Sequence, residues 1–395
     1  RAVPGAPCLV VPDALVALQA LARHVLALDQ PLTFGVTGSS GKTSTKDLLA
    51  HVLGEGTLAP VGSFNNEVGL PLTCLRRTRQ TRHVVLEYSA RGAGHIAFLT
   101  GIAAPHVALV LNVGSAHLGE FGSQEAIAAA KGELVEGVVP YGEQPARVVL
   151  NADDPRVLAM AERAPAGAQV TTYGTAPGAD VRGSGLELDD DGHPSLTVDG
   201  ARLDLQLTGE HSASNALAVL AAVRGVVEPA VARERLASAR PVSRWRMEVV
   251  ERPDGVTVVN DAYNANPDSM RAALKTLAVM SRGKQRRTVA VLGHMAELGD
   301  AARDAHMDLG RFVVRLDVGQ LVVVGPDAGG IHAGAVLEGS WGSESVHVDD
   351  ADAAIALLRA ELAPGDVVLL KASRSAGLER VAAALLESGL PGSTA

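Results

Sequence analysis

Cysteine is almost absent from this 395-residue chain, with only Cys8 and Cys74 present. Two cysteines without metal-type spacing exclude a disulfide framework and a cysteine-built metal site; they fit a reducing cytoplasm, where both serve as small buried apolar side chains. Long apolar runs are missing too: none reaches the roughly 18 residues that a spanning helix needs, and no basic, apolar, small-residue leader opens the sequence. Neither membrane insertion nor secretion is therefore expected. Positive charge is thin, with a net charge of −9 and a pI near 5.7. The densest basic run, RRTRQTR from Arg76 to Arg82, reads as a solvated surface segment, so no nucleic-acid partner is expected. At 47% hydrophobic and 20% charged residues, there is enough apolar material for two or three domains.

The first residue is Arg1 rather than Met. The opening segment predicts a short strand at Cys8 to Val11 and an amphipathic helix from about Asp13, too little for a domain, so residues 1–29 read as the end of a longer N-terminal region. From Leu32 onward, short β-branched runs alternate with helical ones: LTFGVTG, HVVLEYS, HVALVLNVG and ARVVLNADD, with helices from about Thr43 and across SQEAIAAAKGELVEGV. This alternation predicts an α/β domain with a mainly parallel sheet over 30–240, closed between Ala164 and Leu207 by antiparallel hairpins with glycine and aspartate turns. After the helix SASNALAVLAAVRGV, the segment ARPVSRWRMEVVERPDG reads as a boundary. Residues 241–395 then predict a smaller, doubly wound, Rossmann-like domain, with ligands gathered at the carboxyl ends of its strands.

The richest chemical signal is TGSSGKT, Thr37 to Thr43, between an apolar strand and a helix. A common phosphate loop has a glycine five residues before Gly41, where this chain has Val36. Even so, Thr37, Gly38, Ser39, Ser40 and Gly41 can turn backbone N–H groups onto a polyphosphate, with Lys42 reaching the β- and γ-phosphates and Thr43 contacting Mg²⁺. The bland alternative is a glycine-serine turn capping a helix. Glu87, His117 and Lys131 each fall near the end of a later strand or in the segment after one. Singly they read as a surface carboxylate, a loop histidine and a solvated lysine.

Together these stretches resemble a known family. TGSSGKT, FNNEVGLPLT, NVGSAHLGEFGS with AAAKGEL, GEHSASNALAVLAAV, RMEVV, NDAYNANPDSMRAAL and VLGHMAELGD are similar to the Mur ligases of peptidoglycan precursor synthesis, from about residue 5 to about residue 385. The shortened loop is that family's variant of the P-loop. The resemblance implies a cytoplasmic ATP-dependent amide ligase, joining D-alanyl-D-alanine to UDP-N-acetylmuramoyl-tripeptide through an acyl phosphate. It also implies two Mg²⁺ ions held by Thr43, Glu87, His117 and Lys131, the last carrying a carbamate derived from CO₂; an ammonium would repel the metal, whereas a carbamate is an anionic oxygen ligand.

By the same resemblance Asn215 lies near the adenine, and Ser212 stands where the family often has a second asparagine. Arg246 and Asp261 reach the nucleotide from the C-terminal domain. Phe64, Asn65 and Asn66 would line the acceptor side, while Asn264 and Asn266 would shape the dipeptide site. Lys371, Ser373 and Arg374 would meet the dipeptide carboxylate or a phosphate. The bland reading of NDAYNANPDSM is a turn before a helix, with Asp268 near its cap. A monomer is expected. The competing readings are a related ligase with another amino-acid or peptide substrate, against which NDAYNANPDSM stands, and a non-catalytic nucleotide-binding scaffold, against which Lys42, Glu87, His117 and Lys131 stand.

Overall fold

The computed structural model describes residues 8–115, 118–282, 285–340 and 342–388. His117 lies outside the described residues. Two sheets organise the chain. The larger has nine strands: β1 (Leu32–Thr37), β2 (Thr57–Leu58), β3 (His83–Glu87), β4 (Val107–Val110), β5 (Arg147–Asn151), β6 (Gln169–Gly174), β7 (Val181–Leu188), β8 (Pro194–Val198) and β9 (Ala201–Asp204). Their spatial order is β2-β3-β1-β4-β5-β6-β7-β8-β9. All pairs from β2 to β7 are parallel, while β7-β8 and β8-β9 are antiparallel.

Side chains alternate across this sheet, as a period of two requires. Phe34, Val36, Val85 and Leu109 enter one core with the helices Lys42–Leu53 and Glu210–Val223. Val84, Leu86, Ala108 and Val110 enter the other with the helix Gln124–Glu136. Both faces are covered, which is why these strands read as continuous apolar runs.

The second sheet has six strands: β10 (Glu248–Glu251), β11 (Thr257–Asn260), β12 (Thr288–Leu292), β13 (Gln320–Val324), β14 (Ser345–Val348) and β15 (Val367–Lys371). Its order is β10-β11-β15-β12-β13-β14. Only the edge pair β10-β11 is antiparallel. The segment that reads as a boundary thus itself supplies β10. Helices Pro267–Arg282 and Ala302–Arg315 cover one face and Ala351–Glu361 and Glu379–Ser388 the other.

Two expectations fail near the start. Cys8 to Val11 forms no strand: Leu9 and Val10 are 95% and 98% exposed, and no strand among the described residues offers a ladder for their backbone. Cys8 is accordingly exposed, whereas Cys74 is buried as expected. The helix does form, as Ala14–Asp29, with the Asp13 carboxylate accepting from the Leu15 and Val16 N–H groups. Among the described residues no helix is long and apolar enough to cross a membrane.

Candidate functional site

Parallel pairing brings the ends of β1, β3 and β4 together, with Val36 opposite Glu87 and Thr37 opposite Val110. The loop after β1 starts there and ends at Gly41, whose φ of 81° a side chain would strain; a Cβ there would lie 2.8 Å from Asn215 Oδ1. Asn112 braces the loop. Its carbonyl accepts from Ser39 N–H at 3.1 Å, its Oδ1 from Ser40 N–H at 2.9 Å, and its Nδ2 donates to the Ser40 carbonyl at 3.2 Å. Thr37 serves the framework, its hydroxyl donating to the Tyr88 carbonyl at 2.8 Å.

Beneath the loop sits a set of buried and half-buried ionisable groups. Lys42 Nζ donates to the Gly38 carbonyl at 2.5 Å, and burial brings its pKa down to about 8, with Arg246 adding to the fall and Glu87 opposing it. The Thr43 hydroxyl donates to Glu87 Oε2 at 3.3 Å and lies 3.2 Å from Ser63 Oγ. Glu87 is 1% exposed, and among the described residues its Oε1 has no hydrogen-bond partner. Burial raises the Glu87 carboxyl above its ordinary range, against the pull of Lys46, Lys42 and Arg246. Lys131, on Gln124–Glu136, is also buried; desolvation and the Lys42 ammonium hold its amine well below the ordinary lysine value.

A cavity of about 490 Å³ opens beside this set, between the two sheets. Ser39, Ser40, Gly41, Asn112 and Asn215 line it on the larger unit, and Arg246, Asp261, Asn264, Asn266 and Lys371 on the smaller. Asn215 is 6% exposed, and among the described residues its Nδ2 has no hydrogen-bond partner. One helical turn earlier, His211 also lines the cavity, its Nδ1 without a hydrogen-bond partner among the described residues and its pKa lowered by burial. The Ser212 hydroxyl turns back to donate to the carbonyl of Thr208, just before its helix, at 3.0 Å.

Arg246 joins the cavity to the buried charges, its Nη2 donating to Thr43 Oγ1 at 3.1 Å while the guanidinium lies 4.1 Å from the Tyr263 ring centroid. Asp261 is already engaged. Its carboxylate takes the Met247 N–H at 3.1 Å and Lys371 Nζ at 2.5 Å, and Lys371 also donates to the Asn264 carbonyl at 3.0 Å. Asn266, rather than Asp268, caps the helix Pro267–Arg282, accepting from Ser269 N–H at 2.9 Å. Both asparagines therefore stand at the cavity, Asn264 with an exposed side chain and Asn266 buried.

Other expected residues lie elsewhere. Ser373 Oγ accepts from Ala296 N–H at 2.9 Å, and Arg374 stacks 4.1 Å from the Trp245 ring centroid while pairing with Glu379 at 2.8 Å; neither lines the cavity. Phe64, Asn65 and Asn66 form a separate ledge. Phe64 is 48% exposed, the Asn65 carbonyl accepts from Ser89 N–H at 3.2 Å just beyond β3, and Asn66 Oδ1 accepts from Gly69 N–H at 2.8 Å. Asn112 and His211 escape sequence reading. Only the spacing of His211 to Asn215, one helical turn, could have signalled that both face one cavity.

The constellation suits a polyphosphate with a divalent cation. Gly38 and Gly41 leave no room for a Cβ, Glu87 presents a carboxyl oxygen that has no hydrogen-bond partner among the described residues, and Lys42 and Arg246 supply positive charge beside it. Among the described residues no group of three or more His, Cys, Asp or Glu side chains converges on a metal position, so Glu87 and the Thr43 hydroxyl are the donors described.

The chain is similar to known proteins along most of its length. The family described as Mur ligase middle domain matches residues 36–223, and that described as Mur ligase, glutamate ligase domain, matches 245–374. The UDP-N-acetylmuramoyl-tripeptide–D-alanyl-D-alanine ligase of Mycobacterium tuberculosis is 50% identical over 95% of this chain and 78% of its own length. That of Bacillus subtilis is 33% identical over 99% and 84%. Among solved structures, MurF from Acinetobacter baumannii superposes with a TM-score of 0.85 at 29% identity, covering 96% of this chain and 82% of the other. The MurF ligase of Thermotoga maritima, solved with ADP, gives 0.81 at 29% identity, covering 98% and 87%. With two family matches along its length and relatives this similar over nearly all of it, the chain belongs to the Mur ligase family.

Proposed function

We infer that the chain is an ATP-dependent ligase that joins D-alanyl-D-alanine to UDP-N-acetylmuramoyl-tripeptide in peptidoglycan precursor synthesis. The substrate assignment rests on the 50% identity to relatives of that name. The observation that carries the chemistry is the junction at Thr43, where the phosphate loop, the buried Glu87 carboxylate and Arg246 from the far side of the cavity meet.

A carboxylate oxygen is a poor leaving group. Transfer of the γ-phosphoryl of ATP to the terminal carboxylate of the tripeptide breaks the bond to ADP and forms an acyl phosphate. The free amine of D-alanyl-D-alanine then attacks the carbonyl carbon, a proton leaves the nitrogen, and inorganic phosphate departs with the former carboxylate oxygen. The protein mainly positions groups and offsets charge. We assign the loop 37–43 to the phosphates. Lys42, whose pKa burial brings down to about 8, is held in its charged form by the anionic field of a bound polyphosphate. Asn215 offers its free amide to the base, and Arg246 follows the nucleotide from the other wall.

Magnesium, when bound, would polarise the phosphoryl oxygens and screen the approach of two anions. Thr43 and Glu87 would hold it, together with His117 and a carbamylated Lys131. Burial favours that modification, because an amine kept neutral can attack CO₂, losing a proton to give an anionic carbamate. Residues 30–240 and 241–395 would act as the two bodies that close over the site, excluding water from a hydrolysable acyl phosphate. Asn264, Asn266 and Lys371 stand where the dipeptide would enter; Phe64, Asn65 and Asn66 form a ledge for the tripeptide. We place the reaction in the cytoplasm, on cysteine usage and the need for ATP.

The test is phosphate release and product mass with ATP, Mg²⁺, bicarbonate and UDP-N-acetylmuramoyl-tripeptide, with and without D-alanyl-D-alanine. Dipeptide-dependent release with a pentapeptide product is expected. Nucleotide binding without turnover on any acceptor would favour a scaffold.

A further inference from the structure

One acidic side chain at the cavity rim has no part in the chemistry above. Asp268 occupies the second position of the helix Pro267–Arg282, where an acidic group ordinarily complements the helix dipole. Here its Oδ2 crosses to the larger unit, accepting from both Ser115 N–H at 2.9 Å and Ser115 Oγ at 3.0 Å. The preceding residue, Gly114, donates its N–H to Ser39 Oγ of the phosphate loop at 2.9 Å. A continuous path therefore runs from the loop through Gly114 and Ser115 to the smaller unit. The fit is close, since a Cβ on Gly114 would lie 2.3 Å from Asp268 Oδ2. A second contact lies nearby, where Gly119 N–H donates to the Glu297 carbonyl at 3.0 Å and a Cβ on Gly119 would lie 2.6 Å from Gly299 N.

We propose that Asp268 is a positioning residue: it latches the smaller unit onto the strip Gly114–Ser115, so that closing the cavity and aligning the phosphate loop are one event. The inference rests on the ligase reading for its kinetic test, but not for its structural one. Because a single oxygen accepts both hydrogen bonds, an amide can replace the carboxylate. A carboxylate needed for its charge could not be so replaced.

The test compares Asp268→Ala, Asp268→Asn, Gly114→Ala and the double variant Gly114→Ala/Asp268→Ala by steady-state kinetics, and by small-angle scattering with a non-hydrolysable ATP analogue and Mg²⁺. Asp268→Ala is expected to lower kcat by about tenfold or more, with Asp268→Asn within about threefold of the parent, as loss or retention of hydrogen bonds to a charged group implies. Gly114→Ala should resemble Asp268→Ala, and the double variant should add little to either, the signature of one shared contact. In scattering, Asp268→Ala and Gly114→Ala with the analogue should be more extended than the parent, and Asp268→Asn should not.

An unchanged Asp268→Ala, an Asp268→Asn as impaired as the alanine variant, or additive losses would each overturn the latch. If the parent shows no dipeptide-dependent turnover, the ligase reading fails, and scattering alone judges the latch: a more extended Asp268→Ala supports it, and identical profiles overturn it.

Discussion

The two sheets handle charge differently at the carboxyl ends of their strands. In the larger unit, half-buried Lys42 and buried Glu87 and Lys131 form no ion pair among the described residues; each is pushed toward its neutral form, and Glu87 Oε1 has no hydrogen-bond partner among those residues. In the smaller unit, Lys371 at the end of β15 and Asp261 just past β11 satisfy one another at 2.5 Å. Buried charge left uncompensated is costly, and it persists where a ligand supplies the compensation. On the reading proposed above, the larger unit is therefore the one that would need a charged ligand. The smaller unit contributes shape, two asparagines and a bridging arginine.

The largest effects should come from the uncompensated side. Lys42→Ala is expected to lower kcat by at least about 100-fold, the scale for losing a preorganised charge contact in the transition state, while circular dichroism and melting stay near the parent's. Full activity would break the comparison at its strongest point. Lys131→Ala should be similarly impaired, with partial recovery on adding short-chain carboxylates that replace the carbamate. A folded variant that no carboxylate rescues would remove the carbamate from the mechanism.

On the compensated side, the effect should fall on stability. Lys371→Met leaves Asp261 buried without its cation, and breaking such a pair costs about 3–5 kcal/mol. Denaturant unfolding should show this loss, and pairing the change with Asp261→Asn should recover part of it. A milder effect belongs to His306, which is 3% exposed, with Nε2 accepting from Met295 N–H at 2.9 Å and Nδ1 donating to the Ala302 carbonyl at 2.6 Å. Burial holds its pKa below the ordinary 6.5. A second proton would remove the acceptor that Met295 uses. The stabilisation is therefore complete above about pH 6.5 and is lost as pH falls toward the depressed folded-state value. Thermal melting between pH 7 and 5 should show a steeper decline for the parent than for His306→Gln.

Much of the fold could be read from sequence because β1, β4 and β12 are buried on both faces and bounded by clear turn signals. The strand expected at Cys8 to Val11 failed for the opposite reason: β-branched composition makes no strand without a partner ladder. In the site, Lys42 and Thr43 were legible because loop chemistry is local. His211, Asn112 and the Asp268–Ser115 contact were not, since each depends on which distant surface the fold brings opposite. Ser373 and Arg374 show the converse: both follow β15, yet local partners draw their side chains elsewhere.

The most direct measurement uses UDP-N-acetylmuramoyl-tripeptide labelled with ¹⁸O in its terminal carboxylate, followed by mass analysis of the phosphate released during ligation. Activation as an acyl phosphate places one labelled oxygen in that phosphate. Unlabelled phosphate accompanying labelled pentapeptide would contradict phosphoryl transfer to the carboxylate.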